Sequence, residues 1–197
     1  MKLISRSTLK GLTAILACGV GQISLANDLS YKTLSFGYQE ADVSLLGNVA
    51  SFDGFMLEGR YEVAANTFFY AANSDFSSND AQINADVTTF EFGLGGYSQL
   101  TRKTDLMFGV GYLNQDQVFL PFLDQSINGY TVFAGLRGYL TPVVELEASV
   151  RSAQLDGISD TTFNLIGRYN LGFIAPELRI TQSDDTNIVG FGLQVRF

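Results

Sequence analysis

Histidine and tryptophan are absent from this 197-residue chain, cysteine occurs once and proline three times. Without histidine the chain lacks the usual general base near neutral pH, the partner of a serine nucleophile and the commonest metal ligand. The single cysteine, Cys18, supplies neither a disulfide nor a zinc-binding pair. Beyond the first 26 residues, no stretch reaches the ~20 consecutive apolar residues of a membrane-spanning helix. There is no P-loop, and Gly93-Leu-Gly-Gly96 sits in a strand pattern with no helix after it, so a dinucleotide site is excluded. The formal net charge of −8 argues against nucleic acid as a partner. What remains is a chain with 20 glycines, 16 phenylalanines and 9 tyrosines. Phe, Tyr, Val and Thr favour strands. A soluble β-sandwich shares that composition, so the pattern must separate the two.

The first 26 residues read as a secretory signal peptide. Lys2, Arg6 and Lys10 form a basic start, Gly11 to Val20 is a short apolar stretch, and Ser24-Leu25-Ala26 offers small residues at a cleavage site before Asn27. Their removal takes away three basic and no acidic residues, which lowers the net charge from −8 to −11. Cys18, in Ile15-Leu16-Ala17-Cys18-Gly19, is either discarded with this segment or lipidated at a lipoprotein-type cleavage box. Residues 27–197 show no repeat or linker and are expected to form a single domain.

Across that domain apolar and polar residues alternate in segment after segment, the period of a strand with two unlike faces. Leu34, Phe36 and Tyr38 alternate with Thr33, Ser35 and Gln39 over about 31–43. Phe55, Leu57, Tyr61 and Val63 alternate with Met56, Glu58, Arg60 and Glu62 over about 54–63. Further segments fall near 67–75, 86–99, 104–116, 128–140, 143–155, 161–171 and 175–183, and the last is C-terminal. The expectation is an all-β fold: a transmembrane antiparallel up-and-down β-barrel of ten strands, or of eight if two short segments merge. Ten is even, as bacterial single-chain barrels require. With the N-terminus in the periplasm, short turns are expected there, near 64–66, 100–103, 141–142 and 171–175. Longer external loops are expected near 44–53, 76–85, 117–127, 156–160 and 184–186.

Assigning faces collects charge on the inside. Glu58, Glu62, Glu91, Glu145, Glu147 and Glu177 face inward, with Arg60, Arg137, Arg151, Arg168, Arg179 and Arg196. Buried charge is costly unless paired. Balanced Arg and Glu in a narrow barrel either interlock and fill the lumen or line a narrow pore. Glu145 and Glu147 lie at alternate positions of one strand face, which explains them without catalysis, and no enzyme is expected. Aspartates crowd the external segments, among them Asp42, Asp53, Asp75, Asp86 and Asp116, with no Ca²⁺-loop spacing. No metal site and no cofactor are expected. One external segment departs from this polarity: Phe119, Leu120, Phe122 and Leu123 surround Pro121. They mark either strands extending past the membrane or a surface contact site.

The last residues carry the most specific signal. Val189, Phe191, Leu193, Val195 and Phe197 alternate with Ile188, Gly190, Gly192, Gln194 and Arg196, and the sequence stops on the aromatic. In this the chain resembles the small bacterial outer-membrane barrels of the OmpA/OmpX-like group, and the resemblance covers residues 27–197 as a pattern. The family's C-terminal assembly signal runs polar, any, Gly, any, any, aromatic, any, aromatic. Gly192 and Phe197 match it; Val195 replaces the penultimate aromatic and Gly190 the polar residue. The resemblance implies a bacterial outer-membrane location, with outer-membrane lipid and lipopolysaccharide around the barrel. It also implies periplasmic chaperones and the barrel-insertion machinery as assembly partners. A monomer is expected. Barrels of this group serve as anchors, adhesins, resistance factors or narrow channels. Outer-membrane enzymes generally use a histidine that this chain lacks.

Overall fold

A computed structural model describes residues 29–45, 48–78, 85–119 and 123–197. The signal-peptide expectation for residues 1–26 lies outside them, as do Leu120 and Phe122; of Phe119 and Leu123 only the backbone is described.

The described residues form ten strands: β1 Thr33–Leu45, β2 Asn48–Ala64, β3 Thr67–Ser78, β4 Ala85–Thr101, β5 Thr104–Phe119, β6 Leu123–Tyr139, β7 Val144–Leu155, β8 Ile158–Tyr169, β9 Ile174–Gln182 and β10 Thr186–Arg196. Each pairs antiparallel with its neighbours in sequence, and β1 closes on β10 from Thr33↔Arg196 to Val43↔Thr186. The result is a closed up-and-down barrel with no free edge along the closing seam. Ten strands are present, not eight.

The near end carries the start of β1 and the end of β10. Its four turns are tight, at 65–66, 102–103, 140–143 and 170–173. Asn66, at φ 60°, takes the left-handed conformation that reverses the chain between β2 and β3.

The far end corrects the expectation of long loops, except near 76–85, where residues 79–84 lie outside those described. β1 runs to Leu45 and β2 begins at Asn48; β7 and β8 are separated only by Asp156 and Gly157, both at positive φ, as a two-residue hairpin turn requires. β5 and β6 pair as far as Phe119↔Leu123. Strands β2, β4 and β6 are 17 residues long, whereas about 9–11 tilted residues cross a bilayer core. The surplus projects beyond it. Outward positions there turn polar (Ser51 and Asp53 on β2, Asn114 and Asp116 on β5), yet the backbone ladder continues because its hydrogen bonds do not depend on what the side chains face. Asp42, Asp53, Asp75, Asp86 and Asp116 therefore sit on strands rather than in loops.

The barrel is inverted relative to a soluble protein. Phe55, Leu94, Val110, Val132 and Phe191 are exposed on the outside. The largest fully buried side chains include Arg137, Gln194 and Glu145 on the inside. So wide an apolar exterior is untenable in water but fits the hydrocarbon of a bilayer, and closure leaves no unpaired ladder facing lipid.

Candidate functional site in the barrel lumen

Strand alternation sends every second side chain into a narrow lumen, and three zones stack along it. At the near end, toward β3–β6, Tyr31, Phe68, Tyr70 and Met107 form a buried cluster with Leu29, Tyr97 and Phe133 against it. Glycines make room for it. A Cβ on Gly95 would overlap the Phe68 ring, and one on Gly93 would stand 2.8 Å from Tyr70 Cε1. Small residues opposite large ones are how a small barrel fills its interior.

Beside this cluster lies an ion-pair network. Arg60 donates from Nη2 to Glu147 Oε1 at 2.6 Å and from Nη1 to Oε2 at 3.1 Å, and its Nε donates to Glu58 at 2.9 Å. Arg168 bonds Glu145, Glu147 and Glu177 at 2.9, 2.8 and 3.0 Å. Arg137 and Arg196 reach Glu145 at 2.8 and 2.7 Å. Arg179 joins Glu58 at 2.8 Å and Glu177 at 3.4 Å. These contacts link five arginines and four glutamates from β2, β6, β7, β8, β9 and β10 into one continuous set. Among the described residues only Arg137 Nη2, Asn170 Nδ2 and Arg179 Nε are buried side-chain nitrogens without a partner. Nearly every charge removed from water thus meets an opposite one, the condition under which burial is tolerable.

The other three of the twelve expected inward charges lie outside this set, and a further one, Asp105, is buried beside Tyr31. Arg151 pairs with Glu91, which also accepts from Tyr70 Oη at 2.9 Å and Thr131 Oγ1 at 2.7 Å. Glu62 accepts from Tyr97 Oη at 2.7 Å.

Several residues of this arrangement were not legible in the sequence. Tyr31 precedes β1 and turns into the lumen, 1 % exposed. Its ring stacks on Tyr97 at 4.1 Å and on Phe68 at 4.9 Å, its hydroxyl donates to Asp105 at 3.1 Å, and the Arg137 guanidinium lies 5.0 Å from its ring centre. Arg137 also donates to the Ser30 carbonyl at 2.8 Å. The segment before β1 is therefore packed into the near end. Phe68-Phe69-Tyr70 gives no clear alternation, so the inward glycines on β4 and β5 are the one sequence signal for the large side chains facing them.

At the far end the lumen lining changes again. Ala41, Ala50, Phe52 and Ala85 pack together with Val43, Phe76 and Ile188. Between this apolar patch and the ion pairs lies a cavity of about 220 Å³, whose walls include Phe76, Ile188, Asn164, Thr181, Arg151 and Arg179.

Gly192 pairs with Gly37 and Val195 with Leu34 on the closing seam, and the Phe197 amide donates to the Lys32 carbonyl at 3.2 Å. The Phe197 side chain is exposed on the outside of the near end.

No protein-family model matches the chain, and no curated protein matches it. Solved structures do. Neisserial surface protein A shares 13 % identity over 84 % of this chain and 96 % of its own, with a TM-score of 0.49. The attachment invasion locus protein of Yersinia pestis shares 17 % over 84 % and 97 %, with a TM-score of 0.45. An outer membrane channel from Pseudomonas putida F1 shares 9 % over 86 % and 97 %, with a TM-score of 0.48. These overlaps are loose, and the assignment rests on the molecule itself. A closed ten-stranded antiparallel barrel, apolar outside and charged within, is a small outer-membrane β-barrel.

Proposed function

We propose that the chain is a non-catalytic barrel of the bacterial outer membrane whose lumen is shut by its own side chains, acting in envelope integrity or in surface interaction through its far end. The observation that carries this reading is the Arg60–Glu147 pair inside the continuous ion-pair network, which spans the lumen between opposite walls. A network that ties six strands together holds a narrow barrel rigid and leaves no straight path for solutes. The near end is then periplasmic. Lys32, Arg102 and Lys103 lie there, while Asp42, Asp53, Asp75, Asp86 and Asp116 lie toward the far end.

In this reading outer-membrane lipid and lipopolysaccharide surround the apolar band of a monomer, and residues 1–26 are the export signal. Periplasmic chaperones and the insertion machinery would handle the chain during assembly, reading Gly192, Val195 and Phe197. Contacts with other surfaces fall to the far-end hairpins, including the apolar segment of Phe119, Leu120, Phe122 and Leu123. The carboxylates of the ion-pair set are held by arginines, which leaves them ill suited to acid–base chemistry.

A second reading, a narrow passive channel for ions or small solutes, is favoured by the cavity of about 220 Å³ beyond the network, which leaves part of the lumen unfilled. Single-channel recording of the refolded chain in a planar bilayer separates the two, after a heat-shifted gel band has established folding. A folded but silent barrel supports the closed lumen. Discrete, reproducible current steps would replace it with the channel.

A further inference from the structure

We propose that the cavity in the far half of the lumen binds a small organic acid, its carboxylate held by Arg151 and its apolar body lying against Phe76 and Ile188. Arg151 is unlike the other lumen arginines. Its side chain is 32 % exposed, and those of Arg60, Arg137, Arg168, Arg179 and Arg196 are at most 14 % exposed. A guanidinium carries five N–H donors. The Arg151 side chain uses Nη1 on Glu91 and makes no other hydrogen bond among the described residues. Glu91 is itself immobilised by Tyr70 and Thr131, and the guanidinium carbon lies 5.6 Å from the Phe133 ring centre. The head is therefore fixed on two sides, with donors to spare, at the wall of an empty space. A planar donor fork of that kind matches a carboxylate.

Charge does not forbid an anion. The ion-paired lumen residues are six arginines and five glutamates, and the buried or half-buried carboxylates without an arginine partner, Glu62 and Asp105, lie at the near end beside Tyr97 and Tyr31. Asp160, two residues before Thr162 on the same face of β8, is exposed. Shape and polarity narrow the class further. Met56, Phe76, Phe133 and Ile188 give the cavity an apolar side, and Thr162, Asn164 and Thr181 a polar one. Phe76 is on β3 and Asn164 on β8, strands that face each other across the ring. An apolar cavity of about 150 Å³ accepts benzene. One of about 220 Å³ has room for a ring or short aliphatic body plus a carboxylate.

The test uses the full chain refolded into phosphatidylcholine nanodiscs at pH 7.4, with empty nanodiscs as reference. Benzoate, benzyl alcohol and phosphate are titrated by calorimetry. Benzoate should bind, with benzyl alcohol and phosphate each at least tenfold weaker. The neutral double variant Arg151→Gln/Glu91→Gln should weaken benzoate at least tenfold and leave benzyl alcohol unchanged. Benzoate uptake no greater than by empty discs overturns the proposal, as does equal affinity for phosphate or an unaltered affinity in the double variant. If that variant gives no heat-shifted band, Phe76→Ser takes its place. It removes the apolar side without touching charge, and undiminished benzoate binding there is equally fatal.

Discussion

Arg60 on β2 and Glu147 on β7 stand on opposite sides of a ten-strand ring and are joined by two parallel hydrogen bonds of 2.6 and 3.1 Å. The two partners are not equally placed. Glu147 also accepts from Arg168 at 2.8 Å, and Glu58, the other partner of Arg60, is also held by Arg179 at 2.8 Å. Glu147→Gln takes a carboxylate from Arg60 and Arg168, and at 3.9 Å from Arg137, and is expected to cost about 3–5 kcal/mol, the range for breaking a buried pair. Arg60→Met should cost less, because it leaves the network balanced at four arginines and four glutamates, whereas losing the Glu147 charge leaves five against three. Urea unfolding in lipid vesicles, followed by the heat-shifted band, ranks the two. The opposite order would show that the brace across the lumen matters more than local neutralisation.

Tyr31 packs into the near end, 1 % exposed, and it belongs to a short segment rather than to the ladder. Its replacement should open that end while leaving the strands intact. In a Cys18→Ser background, Met107→Cys places a thiol in the cluster beneath Tyr31, where Met107 is now 1 % exposed. A membrane-impermeant thiol reagent should label it at least tenfold faster once Tyr31→Ala is added. Equal labelling with and without Tyr31 would mean that other side chains seal the near end.

Gly95 is required by Phe68. A Cβ at position 95 would overlap the Phe68 ring, so Gly95→Ala should cost about 1–3 kcal/mol through overpacking. Phe68→Leu in the same chain should recover part of that loss, although it is destabilising alone. Unfolding of the two single variants and the double one measures the coupling, and simple additivity would rule out the contact as the reason for glycine.

The outer face should respond to charge by depth. Val110 lies between Leu94 and Val132 in the cross-strand register, amid exposed apolar residues. Val110→Arg is expected to cost about 2–4 kcal/mol in a bilayer, and Asp116→Arg on the same strand and face about 0–1 kcal/mol. Comparable losses at both sites would place the bilayer elsewhere on the barrel.

The sequence by itself determined the strands and their faces. Alternation is a local property with a period of two residues, so Phe55 against Met56 and Glu58, or Leu146 against Glu145 and Glu147, can be read without knowing any partner. The inward direction of all twelve charges follows from the same parity. The strand ends at the far side were not legible, because β1, β2 and β5 continue as ladders after their outward residues turn polar. Nor was it legible that Arg60 meets Glu147, that Arg151 keeps donors free, or that Tyr31 leaves the expected strand to stack on Tyr97. Those relations join residues 87, 60 and 66 positions apart. They depend on how the ring closes, how far each strand is staggered along it and what volume the inward side chains leave. Only the tertiary structure decides these, because closure brings together side chains that no local periodicity relates.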